Sequence, residues 1–359
     1  MAKILVAMSG GVDSSVAAAL LKERGYEVTG VTMEVWDGES LPEDGTRHSC
    51  YGPGEEEDIE DARRVAQVLG IPFYTFDLRK EYKIEVLDYF CHEYLLGRTP
   101  NPCVRCNRRV KFDALIKKAQ DIGLEFDYVA SGHYARVEYD ESKRRYLLKK
   151  ARDMAKDQSY FLFSLSQEQL GHSVFPLGNY AKEEVRNIAR ALGLEVEDKP
   201  ESQDFFGGDY SSLVDTPAKP GPILNREGKV LGEHRGIYFY TIGQRKGLGI
   251  SAAEPLYVID IDAEQNIIVV GGREELYGDK LVASELNWVA IARLGQPIQV
   301  KAKIRYLHGE AEAVIAPLDG DKVRVKFKEP QMAITPGQAA VFYDNDTVIG
   351  GGTIERMGR

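Results

Sequence analysis

The stretch MAKILVAMSGGVDSS, residues 1–15, decides the fold of this chain. Its apolar run Ile4–Met8 predicts a strand that leads directly into the loop Ser9–Ser15, and the apolar residues Val16–Leu21 predict a helix behind the loop. Two adjacent glycines let the backbone approach a phosphate closely, while a helix N-terminus offers free N–H groups and the positive end of its dipole. Strand, glycine-rich loop and helix in this order therefore predict a binding site for a phosphate group.

The loop also indicates which phosphate chemistry to expect. No lysine follows the glycines, so the loop is not of the kind that serves γ-phosphate transfer. Its pattern Ser-Gly-Gly-x-Asp-Ser resembles the pyrophosphate loop of the ATP pyrophosphatase superfamily, whose members adenylate a carbonyl oxygen and release pyrophosphate. The resemblance implies ATP with Mg²⁺, and Asp13 is expected as the loop carboxylate nearest the metal, a role compatible with that of a helix-start acid. ATP contacts are expected at Ala7, Met8, Ser9, Gly10, Gly11, Val12, Asp13, Ser14 and Ser15.

The composition is that of an ordinary globular protein of two or three domains, with 359 residues, 43% hydrophobic and 28% charged. No apolar run reaches the length of a membrane span and no signal-peptide pattern is present, so we expect a cytoplasmic protein without a membrane partner. The net charge of −10 argues against indiscriminate nucleic-acid binding. Local basic runs such as Arg105–Lys111 and Lys143–Lys150 nevertheless suggest directed contact with a polyanion.

Strand-like and helix-like segments alternate up to about residue 200, which predicts an α/β domain with a Rossmann-like parallel sheet and helices on both faces. Ligands bind at the carboxyl ends of such strands, where Met33 is expected beside the adenine and Gly132 beside the loop. Further strands are predicted at Glu27–Thr32, Pro72–Phe76 and Tyr128–Ser131, and helices at Glu56–Leu69, Lys80–Leu96 and Val110–Ile122.

The rest of the chain has a β-rich pattern. We predict an ATP-binding catalytic domain at 1–204, a small glycine-rich β domain at 205–279 and an antiparallel β-barrel that binds tRNA at 280–359. The barrel rests on the strict alternation of apolar and polar residues in runs such as Ile298–Tyr306 and Lys322–Phe327.

The four cysteines, Cys50, Cys91, Cys103 and Cys106, point to metal binding or catalysis rather than to disulfides. Cys103 and Cys106 form a Cys-x-x-Cys motif behind Asn101-Pro102, and Cys106 is surrounded in sequence by Arg105, Arg108 and Arg109. Positive charge and a helix N-terminus both stabilise a thiolate, so we expect Cys106 to be a nucleophile or a metal ligand. Cys50 lies beside His48 in a polar loop of about twenty residues, a length that favours function, whereas Cys91 is expected to pack in the core.

Five motifs together resemble bacterial tRNA-specific 2-thiouridylase, the family that makes 2-thiouridine at the wobble position of tRNA. The resemblance implies that Cys106 is the nucleophile, that Gly132 contacts ATP, and that Asn101, Pro102 and Cys103 touch the target base. It implies further tRNA contacts at His133, Lys156, Asp157, Gln158, Arg305, Tyr306 and Gln338. The motifs that carry it are Ser9–Ser15, Gly97–Pro102 with Cys106-Asn107, Ser131–Arg136, Lys156–Leu162 and Tyr240–Gly249.

One departure from the family bears on the sulfur chemistry. Many members have a second catalytic cysteine, which receives a persulfide, in a Ser-Gln-Asp-Ile-Cys-Phe-like segment. Here that segment is Ser202-Gln203-Asp204-Phe205-Phe206-Gly207, without the cysteine, and Cys103 stands where Asp is frequent. A Cys106 persulfide resolved by the downstream cysteine is therefore not available in this chain.

Three sulfur routes follow. We favour a [4Fe–4S] cluster held by Cys50, Cys103 and Cys106, whose open iron would bind hydrosulfide, as in iron–sulfur-dependent tRNA thiolation enzymes. A persulfide on Cys106 resolved by Cys103 or Cys50 is the alternative, and zinc with His48 or another residue as fourth ligand is the third. The sulfur donor stays open among a sulfur-relay protein, a cysteine desulfurase and free sulfide.

The expected reaction adenylates O2 of a uridine that has left its stack, after which sulfur displaces AMP. An amidating synthetase of the same superfamily is a rival, but it would lack the Asn-Pro-Cys-x-x-Cys segment. A non-catalytic, nucleotide-gated RNA-binding protein with a redox-sensing metal site is the rival from another class.

Overall fold

A computed structural model of the chain describes residues 1–38, 49–194, 196, 199, 204–208 and 210–356. Within these residues no helix is both long enough and apolar enough to cross a membrane. The helices and strands of the first part are β1 Lys3–Ala7, α1 Val12–Glu23, β2 Glu27–Glu34, β3 Ser49–Tyr51, α2 Glu55–Leu69, β4 Phe73–Asp77, α3 Arg79–Tyr82, α4 Tyr89–Leu95, α5 Pro102–Cys106, α6 Leu115–Asp121, β5 Tyr128–Ser131, β6 Ala135–Asp140, β7 Arg145–Lys150, α7 Ser159–Leu162, α8 Gln167–Gly171, β8 Ser173–Val174 and α9 Lys182–Ala191.

The core of this part is a parallel sheet in the order β4-β2-β1-β5-β8, as the sequence predicts. Its middle strand β1 is apolar because both of its faces are covered. Ile4 and Val6 pack in one cluster with residues of α1, α2 and α9, whereas Leu5 packs in another with residues of α4 and α6. The parallel arrangement brings the carboxyl ends of β1, β2 and β5 to one edge.

The helix prediction at Val110–Ile122 is wrong in its start. The helical segment begins at Pro102, because proline suits the first helical position and the Asn101 side chain accepts a hydrogen bond from the Val104 N–H at 3.2 Å. It passes through a π-helical stretch, Asn107–Ala114, into α6. The helix predicted at Lys80–Leu96 is likewise interrupted by a π-helical stretch, Lys83–Asp88.

The second part of the chain is β-rich. A four-stranded sheet has the order β11-β10-β13-β12, and β9 pairs with β3 in a separate two-stranded sheet. The strands β14, β17, β16, β15, β18 and β19 form an antiparallel barrel that is closed by pairing of β14 with β19, which confirms the predicted barrel. The bounds are β9 Asp204–Phe206, β10 Gly221–Leu224, β11 Val230–His234, β12 Tyr257–Asp262, β13 Ile267–Gly271, β14 Tyr277–Trp288, β15 Ile298–Lys303, β16 Ala311–Leu318, β17 Lys322–Met332, β18 Ala339–Asp344 and β19 Thr347–Ile354, and short 3₁₀ turns lie at Pro176–Asn179, Tyr210–Leu213, Ile237–Phe239 and Arg273–Leu276.

A hairpin from the first part of the chain joins the barrel sheet. Strands β6 and β7 pair with each other, and Lys149 of β7 lies opposite Thr347 of β19. The Arg136 guanidinium reaches the Asp346 carboxylate at 2.8 Å across the same contact. The barrel is therefore fastened to the α/β part by backbone pairing as well as by side chains.

A loop of the barrel, Thr335–Gln338, holds the segment that precedes α5. The Gln338 side-chain amide donates to the carbonyl oxygens of Thr99 and Pro100 at 3.0 Å each, and the Thr99 N–H donates to the Pro336 carbonyl at 2.8 Å. Gly337 has φ +90°, and a Cβ there would lie 2.9 Å from the Thr99 carbonyl oxygen. These contacts set where α5 starts relative to the barrel, and we call them the barrel clamp.

We predict that Gly337→Ala destabilises the protein more than Gly123→Ala does. Both glycines have positive φ, so each substitution costs about 1 kcal/mol of backbone strain. Only at Gly337 does the new methyl group also meet backbone atoms, since a Cβ at Gly123 has no atom within 4 Å. Urea unfolding of the two variants checks this, and equal losses of stability would contradict the close approach at the barrel clamp.

Candidate active site

The loop between β1 and α1 has the geometry of an anion cradle. Gly10 has φ +69°, and a Cβ there would collide with the backbone of Asp58 in α2. Gly11 is the N-cap of α1 and brings no side-chain cap, which leaves N–H groups of the first helical turn for an anion. The Ser15 hydroxyl donates to the Gly11 carbonyl at 2.8 Å and braces the loop from behind.

The expected ATP contacts fall into two groups. Gly132 lies against the loop, because a Cβ there would be 2.6 Å from the Ser14 nitrogen. Met33 is half-buried at the end of β2, on the edge where we expect the adenine. The Met8 and Val12 side chains, by contrast, are buried in the core, so these residues offer an ATP molecule only their backbone.

Asp13 has a partner that the sequence does not indicate. The Lys182 ammonium at the start of α9 lies 2.8 Å from both carboxylate oxygens of Asp13, and the Tyr134 hydroxyl donates to the same carboxylate at 2.8 Å. Lys182 is buried, with 9% of its surface exposed. A lysine from a distant helix thus supplies the positive charge that the loop itself lacks.

This pairing bears on the expected magnesium. Backbone N–H groups, hydroxyls and an ammonium form the donor set of the cradle, and such a set suits phosphate oxygens. The Asp13 carboxylate is already used by Lys182 and Tyr134. Since Mg²⁺ is held largely by substrate phosphates and water in such sites, it fits here together with ATP rather than in a cage of carboxylates.

Two of the predicted sulfur-site thiols, those of Cys103 and Cys106, lie on one face of the helical segment that begins at Pro102. Cys103 and Cys106 are three residues apart and are half-buried, while Cys50 is exposed on β3. The pKa of the buried Tyr82 hydroxyl is raised well above its usual value by burial and, in addition, by Cys106, Cys50 and Cys103. All three predicted sulfur-site cysteines therefore share one neighbourhood. Cys91 packs beside the core, and its thiol donates to the Leu213 carbonyl at 3.0 Å.

The expectation that Cys106 is a stabilised thiolate is wrong for the protein on its own. Burial raises the pKa of the Cys106 thiol to about 11, and the Lys111 ammonium offsets only part of this rise. The arginines next in sequence do not help, since Arg105 pairs with the Glu85 carboxylate at 3.0 Å and lies over the Tyr89 ring. The cation that acts on the thiol is therefore Lys111.

Lys111 is the second functional residue that reading the sequence misses, although it stands at the end of the basic run. Burial lowers the pKa of its ammonium, but Cys106, Cys50 and Cys103 together raise it by more, so the net pKa lies above the usual value. Its charge also acts on His133, whose pKa falls to about 3 mainly through burial. His133 is thus neutral at physiological pH, with Nδ1 2.7 Å from the Ser131 hydroxyl, and can contact RNA only as an uncharged group.

The three cysteines do not form a ready metal site. Within the part of the chain that the structure describes, no group of three His, Cys, Asp or Glu side chains is placed to hold a metal ion. Three thiols in one neighbourhood are the right donor type for an iron–sulfur cluster, and the cluster stays a prediction from the sequence. His48, which the sequence offers as a fourth ligand for zinc, lies outside the described residues.

Cys50 lies close to the position where the family motif has its second cysteine. Strand β3 pairs in parallel with β9, so that Tyr51 lies opposite Phe206. Phe206 stands where the family motif has its second cysteine, and its ring is 6.4 Å from the Tyr51 ring. Cys50 therefore lies on the neighbouring strand, one residue along from that position.

The expected tRNA contacts divide between the α5 end of the barrel and other places. Asn101 caps α5, Gln338 belongs to the barrel clamp, and Tyr306 packs its ring 4.4 Å from that of Phe161. Arg305 donates to the Thr335 hydroxyl at 2.8 Å. These residues meet at the junction of α5 with the barrel.

Others of the expected contacts are used inside the protein. The buried Asp157 carboxylate accepts hydrogen bonds from the Ala151 N–H at 3.0 Å and from the Ser159 hydroxyl at 2.8 Å. Gln158 accepts from the Tyr134 N–H at 2.9 Å. Lys156 and Pro102 are half-buried and buried respectively. Their contact with RNA stays a prediction.

Three protein families match successive parts of the chain. The tRNA methyl transferase HUP domain matches residues 2–206, the tRNA methyl transferase PRC-barrel domain 214–272 and the aminomethyltransferase beta-barrel domain 278–354. The first of these matches covers more than half of the chain.

Curated relatives match over nearly the full length. The chain is 51% identical over 362 residues to the tRNA-specific 2-thiouridylase MnmA 2 of Thermoanaerobacter sp. (strain X514), with 99% of this chain and 98% of that protein covered. It is 50% identical over 360 residues to the tRNA-specific 2-thiouridylase MnmA of Acetivibrio thermocellus, with 98% and 99% covered. Among solved structures, the chain is similar to an NMN synthetase from Francisella tularensis, with TM-score 0.33 and 16% identity. The match covers 60% of this chain and 68% of the synthetase chain.

We predict that Lys182→Met lowers the free energy of unfolding by about 1–3 kcal/mol, because it leaves the Asp13 carboxylate partly buried without its cation. Adding Asp13→Asn should recover part of that loss. The exposed Lys117–Asp113 pair is the matched control, and Lys117→Met should cost less than about 1 kcal/mol. A double-mutant cycle by urea unfolding measures both pairs, and equal coupling energies would refute the special position of Lys182.

We predict that iodoacetamide alkylates Cys106 slowly at neutral pH. With its pKa raised to about 11, the thiolate fraction should rise roughly tenfold per pH unit between about pH 8 and pH 10. Lys111→Met removes the cation that lowers this pKa, so alkylation should be slower than in the parent protein at each pH, while Lys117→Met should change nothing. Mass spectrometry of a variant with Cys106 as its only cysteine gives the rates. A rate that levels off below about pH 9 would contradict the assignment.

Proposed function

The chain belongs to the family of tRNA-specific 2-thiouridylases, and on this premise we propose that it is an ATP-dependent tRNA-uridine 2-sulfurtransferase acting on the wobble uridine. The observation that carries the proposal is the connection between two sites. The anion cradle of Ser9–Ser15 and Gly132 is linked to the thiols of the α5 segment through Lys111, whose charge acts on both His133 and Cys106. We propose that the enzyme works in the cytoplasm, where its tRNA substrate is found.

In the first step the uridine O2 attacks the α-phosphate of ATP, and pyrophosphate leaves. The cradle binds the departing pyrophosphate, since its N–H groups, hydroxyls and Lys182 are all donors. Mg²⁺, when bound with ATP, neutralises charge on the phosphates. The adenylated base now has a good leaving group, AMP, on C2.

In the second step sulfur replaces AMP. We propose that Cys106 carries the sulfur as a persulfide, formed when its thiolate attacks the outer sulfur of a persulfide donor and the donor's own thiolate leaves. The outer sulfur attacks C2, and the C2–O bond breaks with its electron pair leaving on AMP. A second thiolate then attacks the Cys106 sulfur, and the electron pair of the broken S–S bond goes to the uridine sulfur. The products are 2-thiouridine and a protein disulfide, which a cellular thiol reductant must reduce before the next cycle.

Cys50 is the better candidate for the resolving thiol. It lies on the strand paired with β9, beside the position where family members have their second cysteine. Cys103 is the alternative, since it shares the helix face of Cys106. The iron–sulfur route predicted from the sequence remains the competing mechanism, with the same three cysteines as ligands.

The proposal predicts separate outcomes for the two steps. Full-length protein should catalyse ATP–pyrophosphate exchange only when tRNA is present. Cys106→Ser should keep this exchange and lose thiolation, because no thiol takes part in adenylation, while Cys91→Ser should keep both. A non-catalytic RNA-binding protein would show no exchange at all.

The resolving thiol can be identified by trapping. In a single turnover with persulfide-loaded enzyme, Cys50→Ser should accumulate tRNA joined to Cys106 through a disulfide that dithiothreitol releases, and Cys103→Ser should not. Accumulation only in Cys103→Ser would assign resolution to Cys103. Iron and sulfide counts on anaerobically purified protein test the cluster route. Thiolation that depends on iron retained by Cys50, Cys103 and Cys106 would replace the persulfide mechanism.

A further inference from the structure

A cavity of about 430 Å³ lies between the α5 segment and the barrel, on the side away from the thiols. Asn101, Arg105, Arg108 and Arg109 line it from the α5 segment, and Ser284 and Thr353 are among the residues that line it from the barrel. No step proposed above uses this cavity, which we call the arginine cavity.

Helical spacing separates the arginine cavity from the sulfur site. Arg105, Arg108 and Arg109 stand at positions i, i+3 and i+4 and so share one face, while Cys103 and Cys106 lie on another. Asn101 at the start of α5 lines the cavity and belongs to the segment expected to touch the target base.

Two of the three guanidinium groups of the cavity have no carboxylate partner among the described residues. Arg105 pairs with Glu85, but neither Arg108 nor Arg109 has an ion pair with a carboxylate of the described residues. Burial lowers the pKa of Arg108, and the like charges of Arg109 and Arg105 lower it further. Glu285 acts in the opposite direction but more weakly, and its carboxylate also accepts a hydrogen bond from the Thr353 hydroxyl at 2.8 Å. Asp321 lines the cavity too and is exposed.

Arg108 is half-buried and Arg109 is exposed, and their like charges repel, so an anion that arrives from outside stabilises both. Guanidinium groups bind phosphate oxygens in pairs, so Arg108 and Arg109 are the donors that this cavity offers to a phosphate. On a chain with net charge −10, such a site selects one anionic group rather than coating a polyanion.

We propose that the arginine cavity binds a backbone phosphate of the tRNA, on a nucleotide adjacent to the uridine that enters the sulfur site. This inference rests on the proposed function. Arg108 and Arg109 make the contact, and Asn101 connects it to the base-binding segment. Holding the neighbouring phosphate behind α5 keeps the extruded base in place on the thiol face while both chemical steps proceed.

The test measures tRNA affinity against salt for full-length Arg108→Gln, Arg109→Gln and the double variant. Arg63→Gln, on the surface of α2 far from the cavity, is the control. We expect the double variant to bind tRNA about ten- to a hundredfold more weakly at 100 mM KCl, with a salt slope smaller by about 0.7 per lost phosphate contact. Thiolation should recover at saturating tRNA, since the contact positions the substrate rather than reacting with it. If the parent protein binds tRNA and the double variant has the same affinity and the same salt slope, the proposal is overturned.

A second measurement keeps the test independent of folding defects. Anticodon stem-loop RNAs with a single neutral methylphosphonate at each loop position are bound to parent protein and to Arg109→Gln. At one position next to the target uridine, the neutral linkage should weaken the parent protein and leave Arg109→Gln unaffected. Equal losses in both proteins at every position would overturn the proposal.

The remaining outcomes separate this inference from the proposed function. If the variants bind tRNA normally but lose affinity for a sulfur-donor protein, the cavity takes an acidic protein segment and the proposal fails. If the parent protein binds tRNA through the cavity but never thiolates it, the proposed function fails and the phosphate site stands. If the parent protein does not bind tRNA, both fail.

Discussion

The barrel clamp is the contact on which the sulfur site depends. Gln338 holds the carbonyl groups of Thr99 and Pro100, and the Thr99 N–H holds the barrel in return. A segment with two prolines cannot satisfy its backbone groups in a regular element, so partners from elsewhere in the fold must do so. Once this segment is held, Asn101 and Pro102 start α5 in a defined direction, and the cysteines and arginines of that helix face opposite sides.

The charges of the site come from elements far apart in the chain. Lys182 reaches the phosphate loop from α9, and Lys111 acts on the thiols from the π-helical stretch behind α5. A half-buried cation is costly unless an anion lies close, and each of these lysines has an anionic or ionisable partner that is itself tied to the chemistry. The raised pKa of Cys106 fits a site that protects its thiol until sulfur is delivered. A thiol that is protonated at rest is also a poor target for adventitious alkylation or oxidation.

In the proposed mechanism, a cysteine on β3 takes the role that a cysteine on β9 has in other members of the family. Strand β3 lies beside β9, and Cys50 on β3 is close enough to Cys106 to raise the pKa of its thiol. Phe206, in place of the family cysteine, packs against Tyr51 and Tyr210 and contributes to the core. In the proposed mechanism the catalytic thiol lies on β3, while the facing position on β9 contributes to packing.

The sequence by itself determined the strand and loop at Ile4–Ser15, the parallel sheet and the barrel. Each of these follows from side-chain periodicity or from residues with restricted backbone geometry, which act over a few positions. Only the tertiary structure decided that Lys182 pairs with Asp13, that β3 lies beside β9, that the β6–β7 hairpin joins the barrel sheet, and that burial raises the pKa of Cys106. These depend on contacts between residues up to about two hundred positions apart and on the loss of water around them, and neither quantity is written in a local pattern.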